Sequence, residues 1–327
     1  MTTTLANLSI SARLVLDLHS LNNEGGEGNQ IQTRMVNIVD RDGVLYSVNA
    51  ISGDMFKHIQ AEHLFQIARA EGLPLSAGAQ VFDANRINAD AEFVKRVANF
   101  SDGDVLADLL QTCAVSDMEG ILVTEGKKSV ARKSVIEFGW VTGVPEQVQT
   151  DSYFHVKYAQ DRSTSQRDKD RQSQVKTGSN LGQSIFHRPA NSGVYAVVCH
   201  LNLARIGFND ILQNYTLTYE ERVRRAHALI RSVLYTFVQP NGAMRSTQAP
   251  HLLGMSGVVT ISSKPIPAPT VSPLAESYRE EVEATVGVLN QIEGEGSVSL
   301  AMFDDMSMFA DTIRVLLDDM ALYGFRV

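Results

Sequence analysis

The chain has 327 residues, 44% of them hydrophobic, enough for a substantial core in one or two domains. A formal net charge of −8 argues against nucleic-acid binding by the surface at large, so any such activity has to come from local patches. No run of about 18 apolar residues marks a membrane span, the Met1-Thr-Thr-Thr-Leu-Ala start lacks a signal-peptide pattern, and two distant cysteines, Cys113 and Cys199, suit a reducing cytoplasmic interior.

The first predicted element is a strand. Leu8, Ile10, Ala12, Leu14, Leu16 and Leu18 alternate with Asn7, Ser9, Ser11, Arg13 and Asp17, which gives one buried and one wet face. His19 to Asn29 reads as a glycine-rich loop. Its glycine spacing does not fit a dinucleotide fingerprint, and Glu24 and Glu27 would repel phosphate. Residues 32–40 and 44–49 read as a hairpin closed at Asp40-Arg-Asp-Gly43.

A helix is predicted from Ser52 to Glu71. Met55, Phe56, Ile59, Leu64, Ile67 and Ala68 mark its apolar face, and Gly72 takes the stop position. Free backbone N–H groups at Ser52, Gly53 and Asp54, with Lys57 one turn in, suit a phosphate. An ordinary Ser or Asp cap beside a solvated lysine is the simpler reading of the same residues. Residues 88–100 and 104–113 look like helices of a small insert. Gly120 to Thr124 reads as a strand, followed by the basic loop Lys127-Lys-Ser-Val-Ala-Arg-Lys133. The strand Ser134 to Thr142 carries the only tryptophan, Trp140, as a core residue or as a base-stacking platform.

The most distinctive stretch runs from Asp151 to Leu203. Two aromatic arms, Asp151-Ser-Tyr-Phe-His-Val-Lys-Tyr158 and Ser184-Ile-Phe-His-Arg-Pro189, flank a polar tract that cannot build a core. From Lys157 to Arg188 there are seven Lys/Arg against three Asp, a net +4, so the rest of the chain sums to −12. A basic arm on an acidic body suits the grip of a polyanion. Asn191 to Leu201 then reads as a buried strand, and Thr218-Tyr-Glu-Glu221 as a capping box. That box opens a helix with Val223, Ala226, Leu229, Ile230, Val233, Leu234 and Phe237 on one face. A turn-rich connector at 240–247 leads to a strand near Leu253 to Ser262. Lys264 to Pro273 reads as a proline-rich linker before a C-terminal part: helix 276–292, strand 298–303, helix 306–323.

Without its insertions the order is strand, helix, strand, strand, helix, strand, the βαββαβ of an α+β ferredoxin-like or RNA-recognition-motif (RRM) fold, although the aromatic signatures that stack bases are absent. Leu8-Ser-Ile-Ser-Ala-Arg13 with Asp17 to Gly25, then Asn49-Ala-Ile-Ser-Gly-Asp-Met-Phe-Lys-His58, resemble the DevR/Csa group of the CRISPR-associated Cas-seven family. Tyr153-Phe-His-Val, Asn191-Ser-Gly-Val-Tyr and Gln239-Pro-Asn-Gly-Ala-Met-Arg-Ser246 follow in the same order. The resemblance covers roughly residues 5 to 262.

It implies a modified RRM palm with a helical insertion (fingers) and a β-hairpin thumb. The implied division is palm 1–72, fingers 73–120, palm strands 121–154, basic thumb 155–190, palm 191–262, and a linker with a C-terminal helical segment 263–327. It further implies a non-catalytic backbone subunit of a type I Cascade, within the RAMP superfamily, without cofactor or metal, polymerising along the spacer of a CRISPR RNA (crRNA). Partners would be the crRNA, other copies of the chain, target DNA, a 5′-handle-binding subunit, a large subunit and a crRNA-processing endoribonuclease. Ser11, Arg13, Asn22, Asn23, Ser52, Gly53, Lys57, His58, Arg132, Lys133, Trp140, Arg245 and Ser246 would meet RNA. Lys157, Arg162, Arg167, Lys169, Arg171, Lys176 and Arg188 would serve the thumb, with Ile185 or Phe186 as its wedge.

Three other classes compete, one of them a plain interaction protein whose basic loop is merely disordered. A RAMP-type RNA endonuclease would use Asp17, Glu24 or Glu27, but these form no compelling catalytic pair. A transcriptional regulator would need a basic recognition helix, and none is visible. His58 and His63 are one residue too far apart for a helical zinc pair, and His200 reads as a satisfied core histidine.

Overall fold

The computed structural model describes residues 3–158, 183–242 and 249–325, with the backbone alone at 156–158 and 183–186. β1 (Thr3–Leu5) and the long alternating β2 (Asn7–His19) open the chain. The glycine-rich stretch is a hairpin rather than a loop, made of β3 (Asn23–Glu27) and β4 (Gln30–Thr33). Gly28, at a φ of 59°, supplies the left-handed turn residue that a tight hairpin needs. β5 (Met35–Val39) and β6 (Leu45–Ile51) form the expected second hairpin. Asp40 Oδ1 closes it by accepting from the Asp42 and Val44 amides at 3.0 and 2.8 Å. α1 (Gly53–Ala70) starts at Ser52, whose Oγ accepts from the Met55 N–H at 3.2 Å.

The insert that follows contains α2 (Ala77–Gln80), α3 (Ala91–Val97), α4 (Asp102–Thr112) and α5 (Ala114–Glu119), then the small hairpin β7 (Ile121–Val123) and β8 (Val130–Arg132). Arg132, expected in a basic loop, is buried. Its Nη2 lies 2.7 Å from Asp117 Oδ1, and it also donates to the carbonyls of Asp117, Arg205 and Phe208. Asp117 Oδ2 accepts from Arg225 Nη1 at 2.9 Å, and Arg225 Nε reaches Glu221 Oε1 at 3.0 Å. With its donors committed, Arg132 is a structural tie and not a surface contact for phosphate.

The Ser134–Thr142 strand is split into β9 (Ile136–Phe138) and the start of β10 (Val141–Tyr158); both pair with β11 (Gln183–Asn202). The register slips by one residue between Phe138↔Cys199 and Thr142↔Ala196, a bulge that leaves Trp140 exposed. A second irregularity lies between Gly143 and Val148. Beyond it β10 and β11 run in unbroken register from Val148↔Gly193 to Tyr158↔Gln183. Gly193 is required there: a Cβ would lie 2.2 Å from the Gln147 carbonyl oxygen, and its φ is 145°.

After the short pair β12 (Phe208–Asn209) and β13 (Asn214–Tyr215), α6 (Tyr219–Val238) begins at its Thr218 cap, followed by β14 (His251–Ser262). α7 (Tyr278–Glu293) and β15 (Val298–Phe303) match expectation, but α8 (Met306–Asp318) stops early. Residues 320–322 form β16 (Met320–Leu322) instead, because β1 offers them a parallel backbone ladder.

The main sheet runs β15-β14-β2-β11-β10-β6-β5. α1 and α6 cover one face, where Phe56, Phe237, Phe309 and Phe303 form a chain of ring contacts over Ile10, Leu14 and Val259. Residues 264–275, expected as a linker, cross the opposite face as a strap. Its Ile266, Ala268 and Pro273 carbonyls accept from Asn7 Nδ2, Ser9 Oγ and Arg13 Nε at 2.9, 2.9 and 2.8 Å, and the Pro269 carbonyl accepts from Thr260 Oγ1 at 2.8 Å. A small second core of Val258, Tyr278, Val282, Val286 and Val298 seals the strap side. The expected wet face is therefore closed: Ser11 is 1% exposed, and Arg13 is held by the strap and lies over Tyr278.

Removing one partner of a buried ion cluster leaves charge without compensation. Asp117→Ala is expected to lower unfolding free energy by about 3–5 kcal/mol, read by urea denaturation. Lys133→Ala, at an exposed pair with Glu137, is expected to stay within about 0.5 kcal/mol.

Candidate nucleic-acid interface

The loop between β2 and β3 organises the site. Asn22 is buried, and its Oδ1 accepts from the Ser52 N–H at 2.8 Å, which fixes the loop to the start of α1. Ser20 Oγ donates to Asn23 Oδ1 at 3.0 Å, and Thr33 Oγ1 reaches the Asn22 carbonyl at 3.5 Å. Gly53 is a glycine for packing reasons, since a Cβ would lie 2.4 Å from the Phe138 carbonyl oxygen. Gly242 approaches from the other side, where a Cβ would lie 2.5 Å from the Leu21 Cα. The structure thus brings Asn22, Asn23, Ser52 and Gly53 together with the approach to the 243–248 segment. Arg245 and Ser246 lie outside the described residues.

Lys57 is not the solvated cation that the sequence suggests. Its Nζ donates to Ser134 Oγ at 2.7 Å and to the Glu119 carbonyl at 3.0 Å, with the Glu119 carboxylate 4.0 Å away. Burial lowers the Lys57 pKa, opposed by the nearby Glu119 charge; burial likewise raises that of Glu119. Beside it, a cavity of about 320 Å³ is lined by Asp54, Lys57, His58, Phe82, Asp83 and Arg86. His58 sits 5.4 Å from the Phe82 ring. Among the described residues no group of three metal-ligating side chains is present.

Trp140 stands next to this site, because its neighbour Val141 pairs with Ile51, the residue before Ser52. Lys133 is exposed at its pair with Glu137. The β10–β11 hairpin roots here as well: the His187 N–H donates to the Asn29 carbonyl at 2.7 Å, tying the β3–β4 hairpin to β11. Tyr153 and Phe154 are exposed at this root, and Arg188 is half-buried. The backbone pairs Lys157 with Ser184, Val156 with Ile185 and His155 with Phe186. Arg162, Arg167, Lys169, Arg171 and Lys176 lie outside the described residues, as do the side chains of Lys157, Ile185 and Phe186.

A model of the family described as "CRISPR-associated negative auto-regulator DevR/Csa2" matches residues 10–283. The chain belongs to the DevR/Csa2 family. The chain is 23% identical over 288 residues to "CRISPR-associated protein Cas7/Csa2 1" of Saccharolobus solfataricus, covering 85% of this chain and 86% of the relative. It is 24% identical over 275 residues to the "CRISPR-associated aCascade subunit Cas7/Csa2 2" of the same organism, covering 79% and 80%. A "CRISPR-associated protein Cas7/Cst2/DevR" of Methanocaldococcus jannaschii is 24% identical over 272 residues, covering 80% and 82%. The fold is similar to a chain of a "CRISPR RNA-guided surveillance complex, pre-nicking", at a TM-score of 0.50 and 11% identity, over 95% of this chain and 99% of the other.

Sequence reasoning missed the polar knot under this DevR/Csa2 site. Tyr195 OH donates to Asn49 Oδ1 at 2.8 Å, and Thr33 Oγ1 accepts from Asn49 and Asn191 Nδ2 at 2.9 and 3.0 Å. His19, buried edge-on to Tyr195, has its pKa lowered to about 3 by burial. The signal was present for the asparagines, which need partners once buried within otherwise apolar strands; among the described residues the His19 ring nitrogens have no hydrogen-bond partner. Because unfolded His19 takes up a proton near its ordinary 6.5 and folded His19 does not until about 3, stability is fully present above 6.5 and lost as pH falls. His19→Asn is expected to remove up to about 1.4 kcal/mol per pH unit of this slope below about pH 6, read by urea denaturation from neutral to mildly acidic pH. Parallel curves for variant and wild type contradict the assignment.

Proposed function

We propose that this chain is a guide-binding backbone subunit of a CRISPR surveillance complex, several copies of which line a crRNA and support recognition of target DNA. The supporting observation is the hairpin β10–β11, which carries the net +4 stretch and roots beside the Asn22–Ser52 contact. Family membership and the names of the relatives point the same way. The strand order β14-β2-β11-β10, with α1 and α6 on one face, supports a ferredoxin-like palm. On this reading the α2–α5 insert is the fingers and the β10–β11 hairpin the thumb.

The chemistry required is modest. A guide of variable sequence is best held by its backbone, leaving base identity to pairing. The Gly53 and Asp54 amides at the α1 start and the thumb cations suit that need, whereas the Ser52 amide, expected to be free, is already taken by Asn22 Oδ1; the role proposed is non-catalytic. An acidic body limits binding of stray nucleic acid. Assembly is cytoplasmic, with the other Cascade subunits and further copies of the chain as partners.

Purified full-length protein is expected to form ladders of bound copies on single-stranded RNA, weakening as salt rises. Asn22→Ala, which removes the tie that fixes the loop to the α1 start, is expected to weaken RNA binding by about tenfold. Deletion of 161–179 is expected to leave thermal unfolding of the body intact and to impair engagement of a complementary DNA strand. Assembly that proceeds equally well with and without RNA in native mass spectrometry contradicts the reading.

A further inference from the structure

We infer that Trp140 and Arg34 form a nucleotide subsite, the indole stacking a base and the guanidinium taking its phosphate, with the Glu24 carboxylate holding the phosphate's place when no nucleic acid is bound. This rests on the guide-binding reading and adds two residues, Arg34 and Glu24, to it. Trp140 is the only tryptophan of the chain and is 45% exposed, because the β9–β10 bulge keeps it out of the core. The exposed indole keeps a π-face available to a ligand. Arg34 already lies over the ring, its Cζ 5.6 Å from the centroid. An arginine stacked on an indole presents a planar cation beside a planar π-face, which matches the two halves of a nucleotide.

The Glu24 contact is built to exchange. Its Oε1 is 3.1 Å from Arg34 Nε, yet among the described residues Nε has no partner in hydrogen-bonding direction. The pair is therefore held by charge alone, with side chains 33% and 41% exposed, a setting in which ion pairs contribute little. Glu24 is also the extra residue of a bulge, lying between Asn23↔Thr33 and Gly25↔Gln32, so its displacement costs no ladder hydrogen bond. A phosphate offers Arg34 more acceptor oxygens than the misdirected carboxylate does. Stacking on indole accepts every base, as a guide of variable sequence requires. The subsite adjoins the α1 start, since Trp140 precedes Val141 and Ser52 follows Ile51, its antiparallel partner.

The single tryptophan makes the test direct, with oligouridine as the probe and the full chain as the protein. Intrinsic fluorescence is expected to quench as oligouridine saturates. By anisotropy of labelled oligouridine, Trp140→Ala is expected to weaken binding about tenfold and Trp140→Phe to restore most of it. Glu24→Gln is expected to tighten binding about threefold in the wild type and to do nothing in the Arg34→Ala background. Glu27→Gln, on the same strand, controls for general charge. Binding without any change in tryptophan emission, or an equal effect of Glu24→Gln in both backgrounds, overturns the subsite while leaving the guide-binding reading intact. Trp140→Ala that spares RNA affinity but lowers self-association in sedimentation overturns it too, making the patch a protein interface. If wild-type protein binds no oligouridine at all, the guide-binding reading fails and the subsite with it.

Discussion

The polar side of β2 is the constraint that the rest of the molecule answers. Asn7, Ser9 and Arg13 alternate with core residues and so must face outward. Left wet, that face would be an open sheet surface of the kind that binds single strands. Instead the chain returns after β14 and lays residues 264–275 across it. A proline-rich run suits this task, because prolines bring carbonyls without N–H groups, and those carbonyls need donors. Asn7, Ser9, Arg13 and Thr260 are the donors. The strap, its small apolar core and α7 therefore close the sheet, and the proposed nucleic-acid surface shifts to the α1 start and the root of the β10–β11 hairpin.

What makes that second surface usable is irregularity in the strands. One extra residue between β9 and β10 keeps Trp140 out of the core, and the break at Gly143–Val148 separates the first residues of β10 from its long run against β11. One extra residue in β3 sets Glu24 against Arg34. Bulges of this sort re-aim side chains without breaking the sheet. Beneath them the packing is unforgiving: Gly53, Gly193 and Gly242 all sit where a Cβ would meet backbone. The β3–β4 hairpin is tied to β11 and, through Asn22, to the α1 start.

The regular elements were legible because periodicity and caps are local. Ser52, Thr218 and the Asp40 turn stand where their chemistry places them. The errors came from long-range partners. Lys264 to Pro273 has the composition of a linker, and only the unsatisfied side chains of β2, some 260 positions earlier, make it a strap. Arg132 belongs to a run of surface-like residues until Asp117 is brought to it. Residues 320–322 continue a helical pattern, but a free strand edge at β1 captures them. At the site, Asn22 and Ser52 were singled out without their contact being foreseen. Arg34 was missed because its meaning depends on a tryptophan 106 positions away.

The central claim is that single-stranded RNA is held at the α1 start and thumb root and not on the sheet face. Photo-crosslinking of full-length protein to 4-thiouridine RNA, with the attached peptides identified by mass spectrometry, tests it most directly. Crosslinks are expected in 20–34, 50–58 and 140–158, with none in 9–13 or 264–275. Crosslinks concentrated in 9–13 and 264–275, as they would be if the strap lifted to admit RNA, contradict the claim.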